Sequence, residues 1–112
     1  MTLKTGQLVI ATGQSASTPL RLDSDTIVGL YMPAAWDTAD VVFEASHDGT
    51  SFVEMQEFGA AVAIQAVAQK YVPLDFTKFV GVSYLRVRSS ADGSSVPQSA
   101  NRTLTAVYRA LG

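Results

Sequence analysis

The stretch AAWDTADVVFEASHDGTSFVEM, residues 34–55, decides the fold. Val41, Phe43 and Ala45 fall on one side of an extended run and Glu44 on the other, the period of a strand with one buried face. His47-Asp48-Gly49-Thr50 then breaks the run. Glycine enters the left-handed backbone region without a Cβ clash, so Asp48-Gly49 predicts a tight hairpin with Gly49 at positive φ. The pattern resumes at Ser51–Glu57, and Trp36 stands ahead of the whole unit.

Outward from this unit the same alternation recurs. Strands are expected at Lys4–Ala11, Thr26–Met32, Asp40–Ser46, Ser51–Glu57, Lys70–Asp75, Ser83–Ser89 and Arg102–Ala110. Turn residues part them every 8 to 15 positions or so, a spacing that predicts an all-β sandwich or barrel. Val41, Phe43, Ala45, Leu85, Val87, Leu104, Ala106 and Tyr108 make the expected inner face; Glu44, Arg86, Arg88, Thr103 and Thr105 point away. Residues 89–101 (SSADGSSVPQSAN) read as a long polar loop with a second Asp-Gly.

The 112 residues suit one domain with a single modest core. The charged fraction is 16%, where a soluble domain usually holds about 25%; low charge suits a protein covered by neighbours. Residues 1–69 carry two bases against eight acids and residues 70–112 six bases against two, balances of −6 and +4. In a sandwich the halves interleave, so this asymmetry reads as charge pairing between strands, with a bipolar contact surface as the alternative. A pI near 5.1 argues against direct nucleic-acid binding.

Without cysteine there is neither a disulfide framework nor a thiolate metal site. MTLKTGQLVIATGQ lacks the apolar core of a secretion signal, and no apolar run nears the roughly 18–20 residues that cross a bilayer. Synthesis in a cytoplasm and no membrane partner are expected.

Catalysis finds few parts. His47 is the single imidazole, placed at a turn, and no serine has a second group to orient a triad. Asp37 and Asp40 have the residue type for glycoside hydrolysis but nothing in their spacing selects them. Asp23, Asp25, Asp37 and Asp40 flank one strand and either converge on calcium or cap turns; turns are the reading adopted, with no metal and no cofactor. Trp36 either plugs one end of the sandwich or stacks on a sugar or partner. Arg86 and Arg88 either pair with Glu44 or Glu54 or clamp a partner's carboxylates. The segment GAAVAIQAVAQ, residues 59–69, reads as a loop or short edge strand. Its Val62, Ile64 and Val67 are expected at an intersubunit or capsid contact, since a free apolar loop is a liability in water. Their folding back onto the core is the competing expectation. Residues 1–20 are read as an extended arm or edge strand, with Met1–Ala11 beside 59–69 as an added strand.

Three segments carry a resemblance: IVGLYMPAAWDTADVVFEASHDGTSFVEM (27–55), YVPLDFTKFVGVSYLRVRSS (71–90) and VPQSANRTLTAVYRAL (96–111). The combination of Met32-Pro33-x-x-Trp36, Phe43-x-x-Ser46-x-Asp48-Gly49-Thr50-x-Phe52, Tyr84-Leu85-Arg86-x-Arg88-Ser89 and Pro97-Gln98-x-x-x-Arg102 resembles small tailed-bacteriophage virion proteins. The resemblance implies a jelly-roll β-sandwich similar to galactose-binding and discoidin-like modules. It further implies a homo-oligomeric decoration or cement protein on the capsid exterior, or the base of a head fibre or spike. Its partner would be the major capsid protein or another virion protein. It brings no catalytic residue. With Trp36 closing the sandwich end and Phe43 and Phe52 in the core, function is expected in outer contacts. The rival from another class is a carbohydrate-binding module.

Overall fold

Alternating burial organises the chain. A computed structural model describes residues 2–110. In chain order the described strands are β1 (Lys4–Ile10), β2 (Leu20–Arg21), β3 (Asp25–Tyr31), β4 (Asp40–Ser46), β5 (Val53–Glu54), β6 (Gln56–Glu57), β7 (Ala60–Ala61), β8 (Ala63–Gln65), β9 (Tyr71–Pro73), β10 (Tyr84–Ala91), β11 (Ser94–Ser95) and β12 (Arg102–Ala110). One 3-10 turn, Phe76–Lys78, follows β9; the Asp75 carboxylate caps it by accepting from the Thr77 N–H. No helix among the described residues is long and apolar enough to cross a membrane.

Two antiparallel sheets form the sandwich. The first runs β1-β12-β3-β9. The second centres on β10 and β4; β2 and β11 share the far side of β10, and β5 and β8 the far side of β4. Leu8, Ile10, Ile27, Leu30, Leu104 and Ala106 from the first sheet meet Val41, Phe43, Leu85 and Val87 from the second, all fully buried. Each such large side chain contributes roughly 1.5–3 kcal/mol by leaving water. Phe79, just past the 3-10 turn, meets Phe43 edge-on at 5.0 Å and closes the core between the sheets.

The expected inner face is the observed one, with Ala45 and Tyr108 half-buried at its margins. Three local expectations change. The Asp48-Gly49 turn is not a two-residue hairpin: Ala45 pairs with Val53, so seven residues bridge the strands. Gly49 does take φ +81, but the loop is built around Asp48, whose Oδ1 accepts from the Thr50 and Ser51 N–H groups and the Ser46 hydroxyl at 2.8–3.0 Å. Asp92-Gly93 makes the tight turn instead, at φ +50 and +82 with Ala91 paired to Ser94, so the polar loop begins as strand. Phe52 is not core; it lies on the outer face under the Arg86 guanidinium, 4.4 Å from the ring centre.

Residues 59–69 contain two short strands, and Ile64 pairs with Val41 of β4. The N-terminal residues form edge strand β1, which pairs along its full length with β12 rather than with this segment.

Candidate functional site

The charges at the centre of the second sheet's outer face pair with one another. Register sets Arg86 opposite Glu44 on β4, and Glu44 opposite Glu54 on β5. Two carboxylates side by side repel, and the arginines resolve it. Arg86 Nε donates to Glu44 at 2.5 Å, while Arg88 bridges Glu44 at 3.3 Å and Glu54 at 2.9 Å and also reaches Ser95. Arg88 is only 15% exposed there. Arg86 and Arg88 are therefore spent within the chain, as cross-strand pairs. With Arg102–Asp37 and Lys78–Glu57, these ion pairs join the acidic first part of the chain to the basic second part.

Trp36 heads a hydrogen-bonded corner. Its half-buried ring packs on the core, and its indole N–H donates to the Ala39 carbonyl at 3.1 Å. Next to it the Asp37 carboxylate accepts from the Ser99 N–H at 2.8 Å, the Ser99 hydroxyl and Arg102. These donors, the Ser99 amide first, hold its pKa below the ordinary carboxylate value. Gln98 is fully buried beneath; its Oε1 accepts from the Asp37 N–H and from Arg102, and its Nε2 donates to the Asp37 carbonyl. The motif Pro97-Gln98-x-x-x-Arg102 included this residue, but its burial and its place under Asp37 are revealed only by its partners.

The remaining acids are distributed. Asp23 pairs with Arg21 at 2.7 Å and Asp25 with Lys4 at 2.8 Å. Asp48 sits in its own turn, its pKa far below the ordinary value because the Ser51 and Thr50 amides donate to it. No group of three or more His, Asp or Glu converges among the described residues. Val62 and Ile64 turn inward and are half-buried against the core, beside Phe43, Leu74 and Phe79. Of the three apolar residues picked from residues 59–69, Val67 alone stays exposed, at 58%.

The opposite sheet differs in kind. Residues that alternate with the buried Leu8, Ile10, Leu30, Leu104 and Ala106 form its outer face. Pairing sets them in rows: Thr5, Val107, Gly29 and Pro73; then Gln7, Thr105, Tyr31 and Tyr71. Val9 and Thr103 extend the surface. None of these side chains is charged. Tyr31 and Tyr71 are 51% and 43% exposed, with ring centres 4.5 Å apart and planes tilted by 48°. The Tyr71 ring lies over Gly29, in space that any Cβ at that position would fill. Arg109, beyond the bulge at Val107/Tyr108, marks the end of this neutral surface.

The sequence reading missed the tyrosine pair. Its available signal was Gly29 in the interior of a strand, which often marks a close approach from another group. A neutral face bearing aromatic rings, amides and hydroxyls suits contact with a protein surface or a glycan; it holds no acid–base pair.

No protein-family model matches the chain, and no curated protein matches it by sequence. Among solved structures, the fold is similar to the crystal structure of the SPBc2 prophage-derived protein YomS. The TM-score is 0.59 at 8% identity, covering 96% of this chain and 95% of that one. At that identity the likeness establishes a shared fold over nearly the full length of both chains.

Proposed function

We propose that the chain is a structural protein of a tailed-bacteriophage particle, a decoration protein that binds the assembled major capsid protein from outside. The observation that carries this reading is the contrast between the two sheet faces. One is charged and pairs Glu44 and Glu54 internally with Arg86 and Arg88, and the other is uncharged and presents Tyr31 and Tyr71. Protein interfaces deplete charge at their centre and enrich tyrosine. The motif resemblance to virion proteins and the fold shared with a prophage-derived protein support the same assignment. So does connectivity: β1, β3, β9 and β12 make one sheet and β2, β4, β5 with β8, and β10 the other, the chain changing sheet at each step except from β4 to β5 and β8, in an order we read as a jelly roll. We assign no catalytic role, since Asp37 is committed to Ser99 and Arg102.

Mass spectrometry of purified particles from the encoding phage or lysogen tests the assignment. The chain is expected in the particle at a fixed ratio to the major capsid protein. Its absence from particles, with the chain free in the lysate, would refute it.

The tilted tyrosine pair also favours a second reading, glycan recognition on a fibre or spike, because aromatic faces stack on sugars while Gln7 and Thr105 offer hydrogen bonds. A glycan array decides: saturable binding lost in Tyr71→Ala supports this alternative, and no binding removes it.

A further inference from the structure

The β6–β7 hairpin projects from the sandwich with an unsupported phenylalanine at its tip. Glu57 pairs with Ala60, leaving Phe58-Gly59 as a two-residue turn at φ +55 and +78. Both positions demand left-handed backbone, which Asn-Gly or Asp-Gly adopts readily and a bulky residue does not. The same chain uses Asp92-Gly93 for this geometry elsewhere. Phe58 therefore stands in an unfavourable conformation, and it is 99% exposed, so no intramolecular packing offsets it. A Cβ added at Gly59 would meet nothing within 4 Å, as expected of a tip clear of the body. The base is held in place: Glu57 pairs with Lys78 at 3.1 Å, and the Val62 N–H donates to the Met55 carbonyl.

The chain also carries a seat for such a ring. A cleft of about 270 Å³ lies among Ala45, His47, Val53, Gly81 and Val82. Val53 and neighbouring Val80 leave 67% and 53% of their surface in water. An apolar cavity of about 150 Å³ accepts benzene, so this cleft has room for a phenyl ring.

We propose that Phe58 is an intermolecular knob whose occupied site is this cleft on a second copy of the chain. The knob matches the cleft in size, and Ala45, Val53 and Val82 give the ring an apolar wall in a lining that Ser46, Ser51 and Ser83 complete. Val53 and Phe58 are only five positions apart, at most roughly 18 Å of extended chain. That proximity suits reciprocal insertion about a two-fold axis, the commonest symmetry of homo-oligomers. The pairing stands apart from the capsid reading and uses a different surface from the tyrosine face.

Sedimentation velocity of the full chain from about 1 to 100 µM, a range spanning typical weak to moderate affinities, tests this. The wild type is expected to dimerise. Phe58→Asp, which suits the left-handed turn, and Val53→Lys, at an exposed cleft position, are each expected to be monomeric with an unchanged or higher melting temperature for the former. Mixing the two restores one of the two contacts, because the Val53→Lys chain donates its Phe58 to the intact cleft of the other. A heterodimer should therefore appear with affinity at least tenfold weaker than the wild type. A monomeric wild type at the top concentration, a Phe58→Asp dimer of wild-type affinity, or a mixture that fails to associate would each overturn the proposal.

Discussion

Replacing Gly29 by alanine isolates the packing that builds the neutral face. The added Cβ would stand 2.6 Å from Tyr71 Cε1 and closer still to the ring carbon and oxygen beyond it, so the ring must leave its seat. Tyr71 is 43% exposed; for an aromatic side chain of 150–250 Å², that leaves roughly 100 Å² buried. Returning most of it to water costs about 2 kcal/mol, and losing the Tyr31 ring adds about 0.5–1.5 kcal/mol. Against this, alanine in a strand interior gains about 0.5–1 kcal/mol over glycine. The net is a destabilisation of about 2 kcal/mol. For a chain of this length that is roughly 8 °C in Tm, at about 2.1 cal/mol/K per residue of unfolding entropy. The sign should reverse once the ring is gone: in a Tyr71→Ala background, Gly29→Ala is expected to stabilise by about 0.5–1 kcal/mol. Urea unfolding of the four-member cycle, with near-UV circular dichroism following the tyrosines, makes the comparison. Equal costs in both backgrounds would refute the packing argument.

Arg88→Met leaves Glu44 and Glu54 facing each other with little solvent and should cost about 2 kcal/mol. Arg86→Met, which removes a more exposed guanidinium and its contact with Phe52, should cost about 1 kcal/mol; urea midpoints measure both, and the reverse order would contradict the network. Asp48 should give pH-dependent stability, because its carboxyl is depressed in the fold by amide donors. The Tm advantage over Asp48→Asn is therefore complete above the unfolded value of about 3.9 and shrinks as pH falls below it toward the depressed folded value; an advantage that grows on acidification would invert the linkage. Val62→Asp with Ile64→Asp buries charge against the core and should unfold the isolated chain or cost at least about 3 kcal/mol, whereas Val67→Asp should stay within about 0.5 kcal/mol of wild type.

Strands with one buried face were legible because alternation is a local property. Asp40–Ser46 and Arg102–Ala110 match the expected bounds residue for residue. The run Ser51–Glu57 was not, since its two halves pair with different partners: Glu54 with β4, and Glu57 with β7. Residues 59–69 resisted for a related reason. Val62 and Ile64 alternate as strand residues, but whether that face meets its own core or another chain depends on where β4 lies. The arginine pair was visible as a choice between internal and external carboxylates, which cross-strand register decides. The tyrosine face joins residues 31 and 71, 40 positions apart in the chain, over a glycine whose role appears only once β9 is set beside β3. Phe58 was missed because an exposed aromatic in a left-handed turn runs against every local preference.

The central claim is that the neutral face of the β1-β12-β3-β9 sheet is the particle-binding surface. Co-sedimentation with assembled capsids lacking the chain tests it most directly, comparing wild type, Tyr31→Lys with Thr105→Lys on the neutral face, and Arg86→Gln on the opposite one, each checked for an unchanged fold. Saturable binding by wild type and Arg86→Gln, reduced at least tenfold in the Tyr31→Lys, Thr105→Lys variant, is the expected result. Equal binding by all three, or no wild-type binding at all, would contradict the account.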